Sequence, residues 1–175
     1  MQVRLLTLVI GIITLPYSPT VQARDQRIKV ENLLTSVMPV ALTQVVIGTT
    51  SRLDIEHLFG PAKDAEVDTL YYDLSGVDYD LSFSFNDDDR LKSYYFSPTA
   101  AADLQNFTLS HLQANVKTET KKSIEAQIKN PQPCGSKKVE CRLLKIKVAE
   151  LNSTLYFSTN GEHRLIAVQK GGSHE

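Results

Sequence analysis

The chain has no tryptophan, only two cysteines, and few glycines (eight) or prolines (seven). No stretch is low in complexity or starved of apolar residues, which excludes a disordered chain. Beyond the first 23 residues no apolar run reaches the roughly 20 residues that a bilayer crossing needs, so an internal transmembrane helix is excluded. His57, His111, His163 and His174 form no metal-spaced pair, and no nucleophile elbow or reactive-cysteine signature accompanies them. A glycine loop that could cradle phosphate is missing too. Asp87, Asp88 and Asp89 follow one another without the alternating ligands, glycine and closing glutamate of a calcium loop, and read as solvated turn charges. Nothing has the concentrated basic surface that nucleic acid demands. These absences predict a non-enzymatic chain with no cofactor and no metal.

What is present begins with an export signal. Arg4 supplies a positive start, Leu5 to Leu15 an uncharged apolar run, and Val21-Gln22-Ala23 the small residues that a signal peptidase reads. A signal peptide over residues 1–23 is expected. The mature chain would then hold 152 residues (175 minus 23), be periplasmic or secreted, and carry no transmembrane span. That length suits one compact domain or two intimate halves. In an oxidising compartment Cys134 and Cys141 are expected to form a disulfide, since six intervening residues exclude a CxxC motif and no histidine flanks them for zinc. Closing so short a loop contributes roughly 2–3 kcal/mol in the chain-entropy treatment.

The strongest pattern is a repeat, the kind of signal that decides architecture. Residues 71–96 read YYDLSGVDYDLSFSFNDDDRLKSYYF and residues 145–170 read KIKVAELNSTLYFSTNGEHRLIAVQK. With a constant offset of 74 (144 minus 70), Leu70 falls on Leu144, Leu81 on Leu155, Phe83 on Phe157 and Arg90-Leu91 on Arg164-Leu165. Each copy alternates apolar and polar residues, as strands with one buried face do. Strands are expected over 70–74, 79–85, 91–96, 142–148, 151–159 and 164–169, in antiparallel sheets with one face partly open.

Helical spacing precedes each set of strands. Leu33, Leu34, Val37, Met38, Ala41, Leu42 and Val45 mark a first helix over 31–46, limited or kinked by Pro39. Ile55, Leu58 and Phe59 mark a second, opened by Gly48 to Ser51 and ended by Gly60-Pro61. In the second half helices are expected over 103–116 and 120–130, with Ile55 matched to Ile124 and Phe59 to Ile128. The fold class is therefore α+β: two tandem helix-helix-strand-strand-strand units, 24–98 and 99–175, with helices packed on one sheet face.

Charge divides the same way. Residues 44–97 hold eleven acidic and four basic side chains, and residues 98–175 hold seven acidic and eleven basic. This supports attraction between the halves or steering of a charged partner onto one of them. Tyr71, Tyr94 and Phe96 are expected on the sheet face opposite Tyr72 and Phe83, with Tyr156 in the same role in the second copy. Tyrosines cover sheet faces and also anchor protein interfaces. Asp73 and Asp80 would flank them from the acidic half, and Lys145 and Lys147 from the basic half.

Gly48-Thr49-Thr50, Leu58-Phe59-Gly60-Pro61, Tyr71-Tyr72 and the run from Leu81 to Leu91 occur in an order that resembles the SmpA/OmlA family of outer-membrane assembly lipoproteins. Here Pro61 follows Gly60 directly, Asp89 stands for a usual glycine, and no lipobox cysteine is present. Used twice, the unit resembles the β-lactamase-inhibitory-protein architecture, which implies a sheet surface presented to a partner protein. The expected function is binding of a protein in the cell envelope or outside the cell, in envelope assembly or in inhibition of that partner. Two alternatives stay open: a carrier of a small apolar ligand or lipid between sheet and helices, and a hydrolase with an unrecognised site.

Overall fold

Period-two alternation buries one side of the strands at 81–85, 143–148 and 153–158, and all seven strands join a single antiparallel sheet. A computed structural model of the chain describes residues 31–32, 34–35, 38–74, 80–97, 104, 107–131, 143–159 and 161–172. The expected leader at 1–23, Cys134 and Cys141 with their expected disulfide, and the expected turn at 75–78 lie outside the described residues.

The strands are β1 (Asp64–Ala65), β2 (Thr69–Tyr72), β3 (Leu81–Phe85), β4 (Leu91–Phe96), β5 (Leu143–Val148), β6 (Ser153–Ser158) and β7 (Leu165–Gly171). Their order is β1-β2-β3-β4-β7-β6-β5. Two meanders are thus joined by their last strands into one continuous sheet. At that junction Tyr94 faces Lys170, Tyr95 faces Gln169 and Phe96 faces Val168. With the 74-residue offset, Tyr94 and Phe96 correspond to Val168 and Lys170, so the pairing is symmetric about Tyr95 and Gln169.

Along the rung Tyr72, Leu81, Phe96, Val168, Leu155 and Ile146 every side chain is apolar and at most 3% exposed. The helices cover this face. Helix α1 (Arg52–Phe59) inserts Ile55 and sets Phe59 against Phe83, with ring centroids 5.1 Å apart. Helix α2 (Leu109–Asn115) inserts Leu109 and Leu112, and α3 (Thr118–Lys129) inserts Ile124. Full burial of such side chains stabilises the fold by about 1.5–3 kcal/mol each.

The expected first helix divides at the proline. Residues 31, 32, 34 and 35 are helical, and Pro39 opens a 3-10 turn at Val40–Gln44, because its fixed φ and missing N–H suit the start of a turn. The helix expected over 103–116 likewise breaks, and α2 begins after Thr108. Thr108 accepts from the His111 N–H at 3.3 Å, and His111 Nδ1 accepts from the Thr108 N–H at 3.4 Å. Ser51 and Asp54 make the same reciprocal cap on α1. Hydrogen bonds from Ser51 hold the exposed Asp54 carboxyl below the usual range.

These caps correct the expected helix equivalence. Ser51 bridges to Arg90 and Thr108 to Arg164. Leu91 N donates to Thr50 O, and Leu165 N donates to Phe107 O, both at 2.8 Å. Asp89 and His163, the hairpin residues before each arginine, both adopt positive φ. Ile55 therefore corresponds to Leu112, four positions past its own cap, and not to Ile124. The two meanders also differ in register. Leu81 and Leu155 match through their β2 and β5 neighbours, Tyr72 and Ile146. On the other side Phe85 pairs Leu91 while Phe157 pairs Leu165, separations of six and eight residues. The second turn is longer by two, and an even slip keeps every side chain on its face.

Candidate protein-interaction face

The face away from α1 and α2 carries a rung that crosses all seven strands: Asp64, Tyr71, Ser82, Tyr95, Gln169, Thr154 and Lys147. At about 4.8 Å per strand it runs roughly 29 Å. It starts acidic, passes through tyrosines and amides, and ends basic. Tyr95 and Tyr156 meet edge-to-face at its centre, 5.8 Å between centroids, and the Tyr156 hydroxyl donates to Gln169 Oε1 at 2.8 Å. Partial burial, with Tyr95 second, raises the Tyr156 phenol above its ordinary value. Around Tyr71 desolvation comes first, and Glu66, Asp68 and Asp64 follow in disfavouring its ionised form. Lys63 pairs with Asp73 at that end.

On the basic side the face dips into an open basin of about 810 Å³, walled by Ser84, Ser93, Lys145, Lys147 and Thr154 on the sheet and by Thr120, Ser123 and Gln127 of α3. Gln127 also closes the sheet edge: its Oε1 accepts from Lys147 N at 2.8 Å and its Nε2 donates to Lys147 O at 3.1 Å. A side-chain amide thus takes the place of a further strand, which protects β5 from edge-to-edge pairing.

Of the residues expected here, Tyr71, Asp73, Lys145, Lys147 and Tyr156 lie on or beside this face and are exposed or half-buried. Three do not. Tyr94 and Phe96 are 4% and 3% exposed and point to the helix side, where Tyr94 pairs Phe83 and Phe96 pairs Leu81. The cause is a β-bulge: Ser84 pairs Ser93 but Phe85 pairs Leu91, leaving Lys92 as an extra residue that inverts the alternation. Asp80 is 2% exposed, and its carboxylate accepts from Leu74 N at 2.8 Å to hold the β2–β3 connection. Tyr95, the residue that the bulge turns outward, escaped the sequence pattern because Leu91 sets the opposite phase.

Among the described residues no group of three His, Cys, Asp or Glu could hold a metal, and no helix is long and apolar enough to cross a membrane. No family model matches the chain, and no curated protein does. Among solved structures, the crystal structure of a DUF4309 family protein (YjgB) from Bacillus subtilis subsp. subtilis str. 168 is similar, with a TM-score of 0.52 and 12% identity, covering 86% of this chain and 95% of that one. The likeness is one of fold.

Proposed function

We propose that the chain is a non-enzymatic protein-binding module of the periplasm or the extracellular space, with the open sheet face as its working surface. Its two halves would be copies of one unit, joined so that their open faces make one surface. The seven-strand rung from Asp64 to Lys147 carries this reading. A rung that only covered a core would have no need of opposite charges at its two ends and tyrosines at its centre. Tyrosines there offer large, rigid contact area with a polar handle. The separated charges would orient a partner of complementary polarity and speed its approach. The partner is a protein in the cell envelope or outside the cell, which suits a role in envelope assembly or in inhibition.

A photo-crosslinking residue placed at Tyr95 or Tyr156 of the mature chain tests this. Irradiation in envelope extract should yield one discrete protein adduct from both positions, and its yield should fall as salt rises. The same group at Leu53, exposed on α1, should yield none. Equal adducts from all three positions, or none from the sheet face, would sink the proposal.

A further inference from the structure

The basin at the basic end of the open face owes its depth to the residues beneath it. Ser84, Ser93, Gly171 and Asn152 follow one another across β3, β4, β7 and the head of β6, two positions along from the Tyr95 rung and on the same side. They reach less far than the tyrosine, glutamine and lysine beside them, so the face sinks there. Apart from Val148, Ala149, Gly171 and Gly172, every residue lining the basin of about 810 Å³ carries a hydroxyl, an amide or a charge. Val148 is fully buried. An apolar ligand would find little surface to cover, and burial of apolar surface is what would hold it.

Charge sets the preference. Lys92, Lys145 and Lys147 line the basin, against Asp68 and Glu119. Asp68 lies beside β3, where its carbonyl accepts from Phe85 N, and Glu119 lies on α3, so the acids stand at the two ends with the lysines between them. Elsewhere Arg52 pairs with Asp89, Lys63 with Asp73 and Lys117 with Glu150. Lys92 and Lys145 have no ion pair among the described residues. One such lysine means little, since lysines are mostly exposed. Two of them converge with Lys147 on one concave polar site, and a cleft lined by one sign of charge focuses the field.

On the protein-binding reading of the open face, on which this rests, we infer that the basin seats an acidic segment of the partner protein. Lys92 on β4 lies three strand spacings from Lys145 and Lys147 on β5, about 14 Å or more, which about four or more residues of extended chain span. Two carboxylates at that separation serve both sides. The hydroxyls of Ser93 and Thr154, between them, can donate to the segment's carbonyls or accept from its N–H groups.

The probe is a peptide with blocked ends and three glutamates, each four positions from the next in a Gly-Ser chain; a second peptide carries glutamine in their place. Each is titrated into the mature chain labelled with nitrogen-15. The glutamate peptide should give saturable amide shifts gathered at Ser93, Thr154 and Gln169, weaker as salt rises. The glutamine peptide should bind about tenfold more weakly, and Lys92→Gln with Lys145→Gln should weaken the glutamate peptide about fivefold, as partly exposed charge pairs contribute modestly. The thermal midpoint should stay level. Lys121→Gln with Lys122→Gln, both exposed on α3, should change the affinity little. Equal affinity of the two peptides, or equal loss in the α3 variant, would overturn the assignment, as would saturation by trigalacturonate where the glutamate peptide gives no shift. Photo-crosslinked adducts from Tyr95 whose yield ignores the Lys92 and Lys145 substitutions would overturn it alone. Absence of any adduct, with the peptide bound as described, would instead overturn the reading of the face.

Discussion

Gly171 lies on the β4–β7 junction in close approach to the Lys92 backbone, and replacing it by alanine is the sharpest test of that junction. Its φ is +73°, and an added Cβ would sit 2.4 Å from the Lys92 carbonyl oxygen and 3.1 Å from Ile47 Cδ1. Lys92 is the bulged residue of β4, and its carbonyl accepts from Gly172 N at 3.2 Å. The methyl therefore pushes backbone against backbone at the point where β4 meets β7. An L-residue in left-handed conformation costs about 1–2 kcal/mol. Displacing packed backbone adds about 1–3 kcal/mol. The expected loss is about 2–5 kcal/mol, a large share of the roughly 5–15 kcal/mol that a domain has. At about 2–4 °C per kcal/mol the thermal midpoint should fall by roughly 4–20 °C. Gly161→Ala is the control: its φ is +65° and an added Cβ meets nothing within 4 Å, so the conformational cost stands alone. Urea unfolding followed by far-ultraviolet circular dichroism, with the slope checked for constancy, measures both. If the two variants lose the same stability to within a few tenths of a kcal/mol, the close approach at Lys92 is not a constraint and the junction is wrongly described.

Other outcomes follow from the same geometry. Tyr156→Ala should weaken partner capture while shifting the thermal midpoint little, since the ring is half-buried; equal loss of both would return it to a structural role. Alkaline titration should destabilise the chain through Tyr94: its folded phenol is raised to about 12 from an ordinary 10.0, so the unfolded chain releases the proton first. That stability, up to about 3 kcal/mol, is whole below pH 10 and is lost as pH rises towards about 12; an unchanged pH slope in Tyr94→Phe would refute it. Ser51→Ala and Thr108→Ala should each cost about 1 kcal/mol of unfolding free energy as lost caps, and losses below a few tenths in urea titrations would contradict the paired capping boxes. Gln127→Ala should speed hydrogen exchange at the Lys147 amide and promote association of β5 edges, read by light scattering.

The strand positions were legible because burial leaves its mark at every second residue, and Leu81, Phe83 and Phe85 carry that mark without interruption. Tyr94 and Phe96 defeated the same reasoning: a bulge at Lys92 adds one residue, and no local property of Lys92 or Ser93 announces it. The helix equivalence failed for a similar reason. Ile55 and Ile124 look alike in spacing, but it is the docking of Ser51 on Arg90 and Thr108 on Arg164 that says which helices correspond.

Read alone, the chain determines its α+β class, its alternating strands and most of its buried side chains, because backbone pleat and helical pitch impose periods visible over a few neighbours. Tertiary structure alone decided that the meanders share one sheet through β4 and β7, that Tyr95 meets Tyr156 and that Gln127 seals an edge. Each of these rests on pairing between residues far apart in sequence, where register is chosen by turn length, bulges and the competition of whole strands for partners.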